Sequence, residues 1–350
     1  MATLRSDTIS GIGTEGVVLD GGLHFRSLNY MTLPKGDTSQ RGRGRAVIFA
    51  GYQSSPGART SEIVYFDIAT GGNSLRFGDL SIDQGYSGGA VASSTRAVYG
   101  GGGVSPGIDI TYVTIASTGN SIDFGADRNA SKGKGSYAPG CGNKTRGIFI
   151  SSQNYPAYYG NTDFVTIATT GTCTDFGDNT NTRYGGAASA SSTRAVYSGG
   201  VVGATSPGTN TISYATIATT GSWADFGDLS NGSGGYRYTN GSSSDTRALV
   251  YGGNWTSPVV DGPDIAFITI ASLGDSIDFG DAIKSGTHRG GFSNTIRGGA
   301  AGGYYNAADF NTIEYVNIAT TGNGIDFGDM TITRAYNMGT TSDSHGGLSE

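Results

Sequence analysis

"SIDFG" occupies residues 121–125 and returns letter for letter at residues 276–280. Its Phe-Gly core occurs six times, with Phe at 77, 124, 176, 226, 279 and 327, at intervals of 47, 52, 50, 53 and 48 residues. Two further strings keep the same beat. Upstream of each Phe-Gly lies a β-branched run: "IVYFDIAT", "ITYVTIAS", "TDFVTIAT", "ISYATIAT", "IAFITIAS" and "IEYVNIAT". Between units lies an arginine followed by small residues, at Arg45, Arg96, Arg146, Arg194, Arg247 and Arg297. A period near 50 with several short strands per unit specifies a β-repeat array, of which the propeller is the closed form.

Each unit divides into four strands. Strand a is a small-residue segment such as "GGAVASS" (88–94), b begins at the arginine, c is the β-branched run and d surrounds "DFGD". Strand c is apolar on both alternating sets, as a sheet packed on both faces requires. Gly-rich strands a and b suit a crowded centre where backbones converge. No strand a precedes Arg45, whereas "TITRAYNMGTTSDS" after the last "DFGD" aligns with "NTNTRYGGAASASS" (179–192). The expected closure is therefore C-terminal, with residues 335–343 pairing antiparallel to 45–51 and removing both open edges. The reading is an all-β, six-bladed propeller over residues 45–350, preceded by a non-repeating arm, 1–44. The tail "HGGLSE" has little in sequence to order it.

Composition narrows the function. Gly is 61 of 350 residues, charged residues are 14 % and the net charge is −6. That balance speaks against a disordered polyelectrolyte and against a nucleic-acid binder. "RGRGR" (41–45) and the RGG triplets at 289–291 and 297–299 are isolated in an acidic chain, and read as linker and repeat. No apolar run is long enough to span a membrane, and the first residues lack the apolar core of a signal peptide. Cys141 and Cys173 lack metal spacing, and His24, His288 and His345 are scattered, so no metal site or cofactor is expected.

The repeated triplet has chemical readings that fail. Asp-Phe-Gly holds metal in protein kinases, but the Gly-rich loop, strand Lys and catalytic loop of that family are missing. Ser-x-Asp-x-Gly opens the Asp-box of sialidases, but the aromatic that should follow is absent, and the chain has only four Glu, at 15, 62, 314 and 350. Three of these fall outside the blades or at their rim, so a glycosidase carboxylate pair is not supported.

The Gly-Gly that ends strand b and the aromatics of strands c and d resemble the kelch repeat, with Phe in place of the usual Trp. The wording "IEYVNIATTGN…DFGD…TRAVYSGG" resembles repeat proteins among the virion structural proteins of tailed phages, notably marine ones, over roughly residues 45–343. That resemblance implies a non-enzymatic appendage or decoration protein located in the virion. Its partners would be other virion proteins and a host-surface glycan or receptor, with the arm docking to the particle. The alternatives are a carbohydrate-binding lectin and, after it, a glycan-active enzyme.

In an antiparallel four-stranded blade the a–b and c–d joints share one rim, and the b–c and d–a joints share the other. The a–b and c–d joints are short and uniform, so their rim is expected to be inert. Their repeated arginines and the aspartates of "DFG" are expected to pair there. The b–c joints vary and carry Tyr155, Tyr158, Tyr159, Trp255, Tyr304 and Tyr305. Loops on a rigid scaffold carry binding, and Tyr and Trp dominate interface energetics, so these six are the candidate binding residues.

Overall fold

A computed structural model of the chain describes residues 44–81, 88–101, 109–127, 136–154, 157–203, 208–230, 235–256, 259–336 and 338–348. The chain divides into two units, Met1–Thr38 and Ser39–Glu350. The arm assigned to residues 1–44 lies outside the described residues except for Gly44.

The second unit is a six-bladed β-propeller. Strands b and c of blades 1 to 6 are Arg45–Phe49 and Glu62–Asp67, Arg96–Gly100 and Asp109–Thr114, Arg146–Asn154 and Ala157–Thr166, Arg194–Ser198 and Thr211–Thr216, Arg247–Thr256 and Val259–Thr269, and Arg297–Tyr305 and Ala308–Asn317. Strands d are Leu75–Asp79, Ile122–Asp127, Thr174–Asp178, Ala224–Asp228, Ile277–Asp281 and Ile325–Asp329. Strands a of blades 2 to 6 are Gly89–Ala92, Gly140–Gly142, Ala187–Ala190, Asn240–Ser243 and Gly290–Ser293. Blade 1 takes its strand a from the C-terminus, as expected. Gly339–Ser342 pairs antiparallel with Arg45–Phe49 in the register Ala46↔Ser342 to Phe49↔Gly339. Each strand a touches the next, and the last touches the first, so the six line one axis. Small residues are required there. A Cβ on Gly140 would run into the Ala90 carbonyl of blade 2, and one on Gly241 into the Ala188 carbonyl of blade 4.

The core lies between blades. Val47, Phe49, Ile63 and Phe77 of blade 1 pack on Ala97, Tyr99, Val113 and Ile115 of blade 2. The alternate residues Ala46, Ile48, Val64 and Phe66 pack on Phe292, Ile313 and Phe327 of blade 6. Adjacent residues of one strand thus serve opposite neighbours, which explains why strand c is apolar throughout.

The letters of "SIDFG" resolve onto these contacts. The d strand shifts register at Phe-Gly in every blade; in blade 5 Ile265 pairs with Gly280 and Ala266 with Asp278, leaving Phe279 as the extra residue of a β-bulge. The bulged Phe is buried in all six blades. Its ring meets the strand-c aromatic edge-on, at 5.8 Å for Tyr65–Phe77 and 6.0 Å for Phe267–Phe279. In five blades the Gly after it faces the next blade: a Cβ on Gly280 would lie 2.5 Å from the Gly322 carbonyl, whereas Gly125 of blade 2 has open space beside it. The Ser before it faces the previous blade, where Ser276 Oγ accepts from Ser230 N at 2.9 Å and Ser121 Oγ from Ser81 N at 2.8 Å.

The repeated arginines correct one expectation. They bind carbonyl oxygens of the next blade in place of the "DFG" aspartates. Arg96 Nη1 donates to Ile167 and Ala168 at 2.9 and 3.0 Å, and Arg146 Nη1 to Ile217 and Ala218 at 2.8 Å. Arg297 closes the circle on Ile68 and Ala69 of blade 1 at 2.8 and 2.9 Å. Each guanidinium also lies over the strand-c aromatic of its own blade, from 4.3 Å for Arg96 on Tyr112 to 4.7 Å for Arg247 on Phe267. Carbonyls win because the c–d turn leaves them unpaired, whereas an aspartate at a wet rim gains little by giving up water.

The tail corrects another. Gly346–Leu348 forms a 3₁₀ turn with all three residues buried, not a loose end.

Arg297→Met should lower stability by about 1–3 kcal/mol, through lost charged hydrogen bonds and the cation–π contact. Asp326→Ala on the same blade should stay within about 0.5 kcal/mol. Thermal denaturation of the two variants checks the order.

Candidate functional site

The b–c joints are not uniform loops. In blades 3, 5 and 6 strands b and c run on past the blade as hairpins of 9 to 11 residues per strand. Tyr158, Tyr159, Trp255, Tyr304 and Tyr305 therefore sit on strands rather than on loops. The blade 6 hairpin turns through Asn306 and Ala307, both at positive φ (48° and 63°), which matches the two-residue turn that suits strand twist. Tyr155 lies outside the described residues. Of Trp255 only the backbone is described, pairing with Tyr236 and Val260.

Two of the predicted residues enter a larger group. Tyr158 stacks on Tyr184 at 5.4 Å, and Tyr304 lies 5.7 Å from Tyr336. Tyr184 meets Tyr137 and Tyr238 at 5.6 and 6.3 Å. Tyr238 stacks on His288 at 4.2 Å, and His288 lies 4.8 Å from Tyr336. Tyr52 adds an edge contact to Tyr336 at 5.3 Å. Tyr137, entering blade 3, also reaches His288, entering blade 6, at 6.0 Å. Blades 3 and 6 are opposite in a ring of six, so the group sits across the axis as a rosette. Tyr159 alternates to the other face of its hairpin, and Tyr305 stands 47 % exposed at a hairpin tip.

The d–a joints supply the centre of the rosette, and the sequence reading missed them. An aromatic or His stands two or three residues before every strand a: Tyr86, Tyr137, Tyr184, Tyr238, His288 and Tyr336. That recurrence is the signal the sequence carries for them.

Arginines anchor these joints. Arg183, Arg289 and Arg334 are almost wholly buried. Arg183 donates to Ser213 Oγ at 2.7 Å and to the Tyr197 carbonyl at 3.1 Å. Arg334 pairs with Glu62 at 2.6 Å and donates to the Ala50 carbonyl at 3.0 Å. Arg289 pairs with Glu314, with both side chains 1 % exposed. Glu314 is thus a buried counter-ion within blade 6, and Glu62 a partly buried one at the start of strand c of blade 1. Burial lowers Arg183 and Arg334 to about 10, where both remain cations at neutral pH.

The rosette itself is uncharged. Burial, and then the Arg237 charge, push His288 down to about 3, and its Nδ1 lies 2.8 Å from Thr287 Oγ1. Burial foremost, then neighbouring tyrosines, raise Tyr184 far above the usual phenol range. Beside Tyr238 runs a half-exposed polar chain: Arg237 Nε donates to Asn254 Oδ1 at 2.6 Å, and Asn254 Nδ2 to Asp261 Oδ1 at 2.7 Å. Also on blade 5, burial and then Asp281 and Asp278 hold the Asp264 carboxyl above its usual range. Among the described residues no group of three or more His, Cys, Asp or Glu could hold a metal ion. None of their helices is long and apolar enough to cross a membrane. No protein-family model matches the chain, and no curated protein matches it.

Glu314→Ala should cost about 3–5 kcal/mol, because it strands the Arg289 cation in the interior. Arg289→Met with Glu314→Leu should recover most of that loss in a denaturant titration. A second expectation concerns pH. The unfolded chain protonates its histidine near 6.5, whereas folded His288 resists until about 3. The contribution is complete above pH 6.5 and is lost as pH falls toward 3, at about 1.4 kcal/mol per unit. His288→Asn, which tolerates a left-handed backbone, should flatten the fall of the melting temperature between pH 6 and 4.

Proposed function

We propose that this propeller is a non-catalytic binding module that seats a partner on the rosette rim. The sequence resemblance supports placing it in a tailed-phage virion, with residues 1–44 docking to the particle and the rosette rim turned to a protein partner or the host surface. One observation carries the binding assignment. Tyr137, Tyr238, His288 and Tyr336 all have left-handed backbones, with φ of 58°, 56°, 58° and 67°. Bulky residues are rare there, and each costs about 1 kcal/mol or more. Blade 4 shows that glycine fits: Gly185 holds φ 65° two residues before strand a, where blades 5 and 6 have Tyr238 and His288. Folding alone would be served better by glycine. Strained aromatics gathered on one rim of a rigid ring are instead what recognition uses, since tyrosine buries large area at low entropic cost.

A glycan reading has its own support in the Arg237–Asn254–Asp261 chain. Planar donors and acceptors beside aromatic faces match a sugar ring, which presents an apolar face and hydroxyls at its edge. Binding of the purified chain to a glycan array against binding to dissociated virion proteins separates the two partners.

Tyr137→Gly with Tyr238→Gly should leave the melting temperature within a few degrees of the parent, strain relief offsetting lost packing. The same variant should lose at least tenfold in partner affinity, a hot-spot effect of about 1.4 kcal/mol or more. If affinity is kept and stability collapses, the rosette is a structural lid and the assignment fails.

A further inference from the structure

The opposite end of the axis is closed by the chain's own C-terminus. Strands a end at the a–b rim, and residues 343–348 follow the last of them there. His345 Nε2 lies 3.0 Å from the Ala92 carbonyl of blade 2. Gly347 packs so closely on the Gly142 carbonyl of blade 3, and Gly346 on Ser244 of blade 5 and Ala190 of blade 4, that neither has room for a Cβ. Leu348 is 1 % exposed. Asp343 Oδ1 accepts from Arg45 N of blade 1 at 2.8 Å. This short segment therefore bridges blades 1 to 5 beneath a narrow polar cavity of about 40 Å³, lined by strand-a residues including Cys141, Ser189, Ser243, Ser293 and Ser342.

The imidazole of His345 is fixed in one neutral form. Gly347 N donates to Nδ1 at 3.2 Å, so Nδ1 must present its lone pair. Nε2 faces a carbonyl and must carry the hydrogen. A protonated ring carries hydrogens on both nitrogens, and Nδ1–H would then oppose the Gly347 N–H. We propose that residues 343–348 are an acid-released stopper of the axial mouth, which leaves the rim when His345 takes a proton while the blades stay folded.

The ring can outlast the release because its closure rests on the Gly339–Ser342 ladder, upstream of the stopper. The surroundings offer the imidazolium little compensation. Burial depresses the His345 pKa, and the Ala92 carbonyl opposes this only in part. Among the described residues, the charged side chains on the packed elements are Asp343 on the segment itself, Lys144 in the turn after Gly140–Gly142, Asp245 in the turn after Asn240–Ser243, and the strand-b arginines. Asp343 and Asp245 accept from the backbone of Arg45 and Ser192. Arg45 itself reaches out to the Ile115 carbonyl, as Arg96, Arg146, Arg194, Arg247 and Arg297 do to their own next blades. Cys141, the other titratable group of this mouth, is held neutral by burial at about 12.

Hydrogen exchange of the full chain tests the proposal, corrected for intrinsic rates, at pH 7 and pH 5. Protection of residues 343–348 should fall about 25-fold, the ratio set by a free imidazole near 6.5 that is neutral only in the seated form. Strand-b peptides from Arg194–Ser198 and Arg247–Thr256 should stay far better protected than the segment at both pH values, although the two buried histidines also lower the cost of their global opening at pH 5. In H345Q, whose amide can donate to Ala92 and accept from Gly347 without titrating, the segment should stay protected at both pH values. Should H345Q misfold, a chain ending at residue 343 replaces it, and its strand-b protection should match the parent at pH 7. Equal protection of the wild-type segment at both pH values overturns the proposal. So does exchange of the segment at the same rate as strand b, an H345Q response equal to the parent's, or collapse of the truncated ring.

Discussion

Blade-to-blade contact is the constraint on which the rest of this propeller depends. No blade has a core of its own, because each shares its apolar faces with two neighbours. The arginine that opens strand b makes that sharing directional. It lies on its own blade's strand-c aromatic, which in turn stands over the bulged Phe, and it reaches forward to the carbonyls of the next blade's c–d turn. Six such columns in head-to-tail order define a ring, because the sixth meets the first. Each is a modest interaction, but all hold together or the closure fails, so the constraint is geometric before it is energetic.

That constraint also divides the two rims. The a–b and c–d rim carries the arginine columns, and its turns must meet carbonyl to guanidinium at a fixed spacing, which accounts for their uniformity. The b–c and d–a rim carries no column and is free to vary. The three long hairpins, the buried arginine anchors and the rosette all lie on it. Strain is kept there as well, in left-handed aromatics that a purely structural joint would replace with glycine. A rigid ring can hold such strain locally, because the surrounding joints are tied down by Arg183, Arg289 and Arg334.

Both ends of the axis are closed, by different means. The rosette closes one with aromatic rings from blades that are distant in sequence, and the C-terminal turn closes the other. A neutral, buried histidine stands at each end, His288 and His345, so acid acts on both closures.

The sequence by itself determined the four repeating strands of a blade, the blade number and the C-terminal closure, because each is written as a period: Phe-Gly six times, arginine six times, and one strand a displaced to the end. Periodic signals survive in one dimension, since every copy meets the same environment. It also placed Tyr158 and Tyr304 on the rim of the b–c joints, because antiparallel alternation alone fixes which joints share a side. Only the tertiary structure decided what those residues meet. The partners of the repeated arginines are backbone carbonyls, which carry no side-chain letter. The rosette joins Tyr137 to His288 across the axis, residues 151 positions apart that converge only once the ring has closed. Glu314 and Arg289 are an ion pair only because a d–a joint folds back on strand c of its blade. The tail "HGGLSE" looked unordered because its glycines have no local reason to settle; the close backbone approach that requires them comes from other blades.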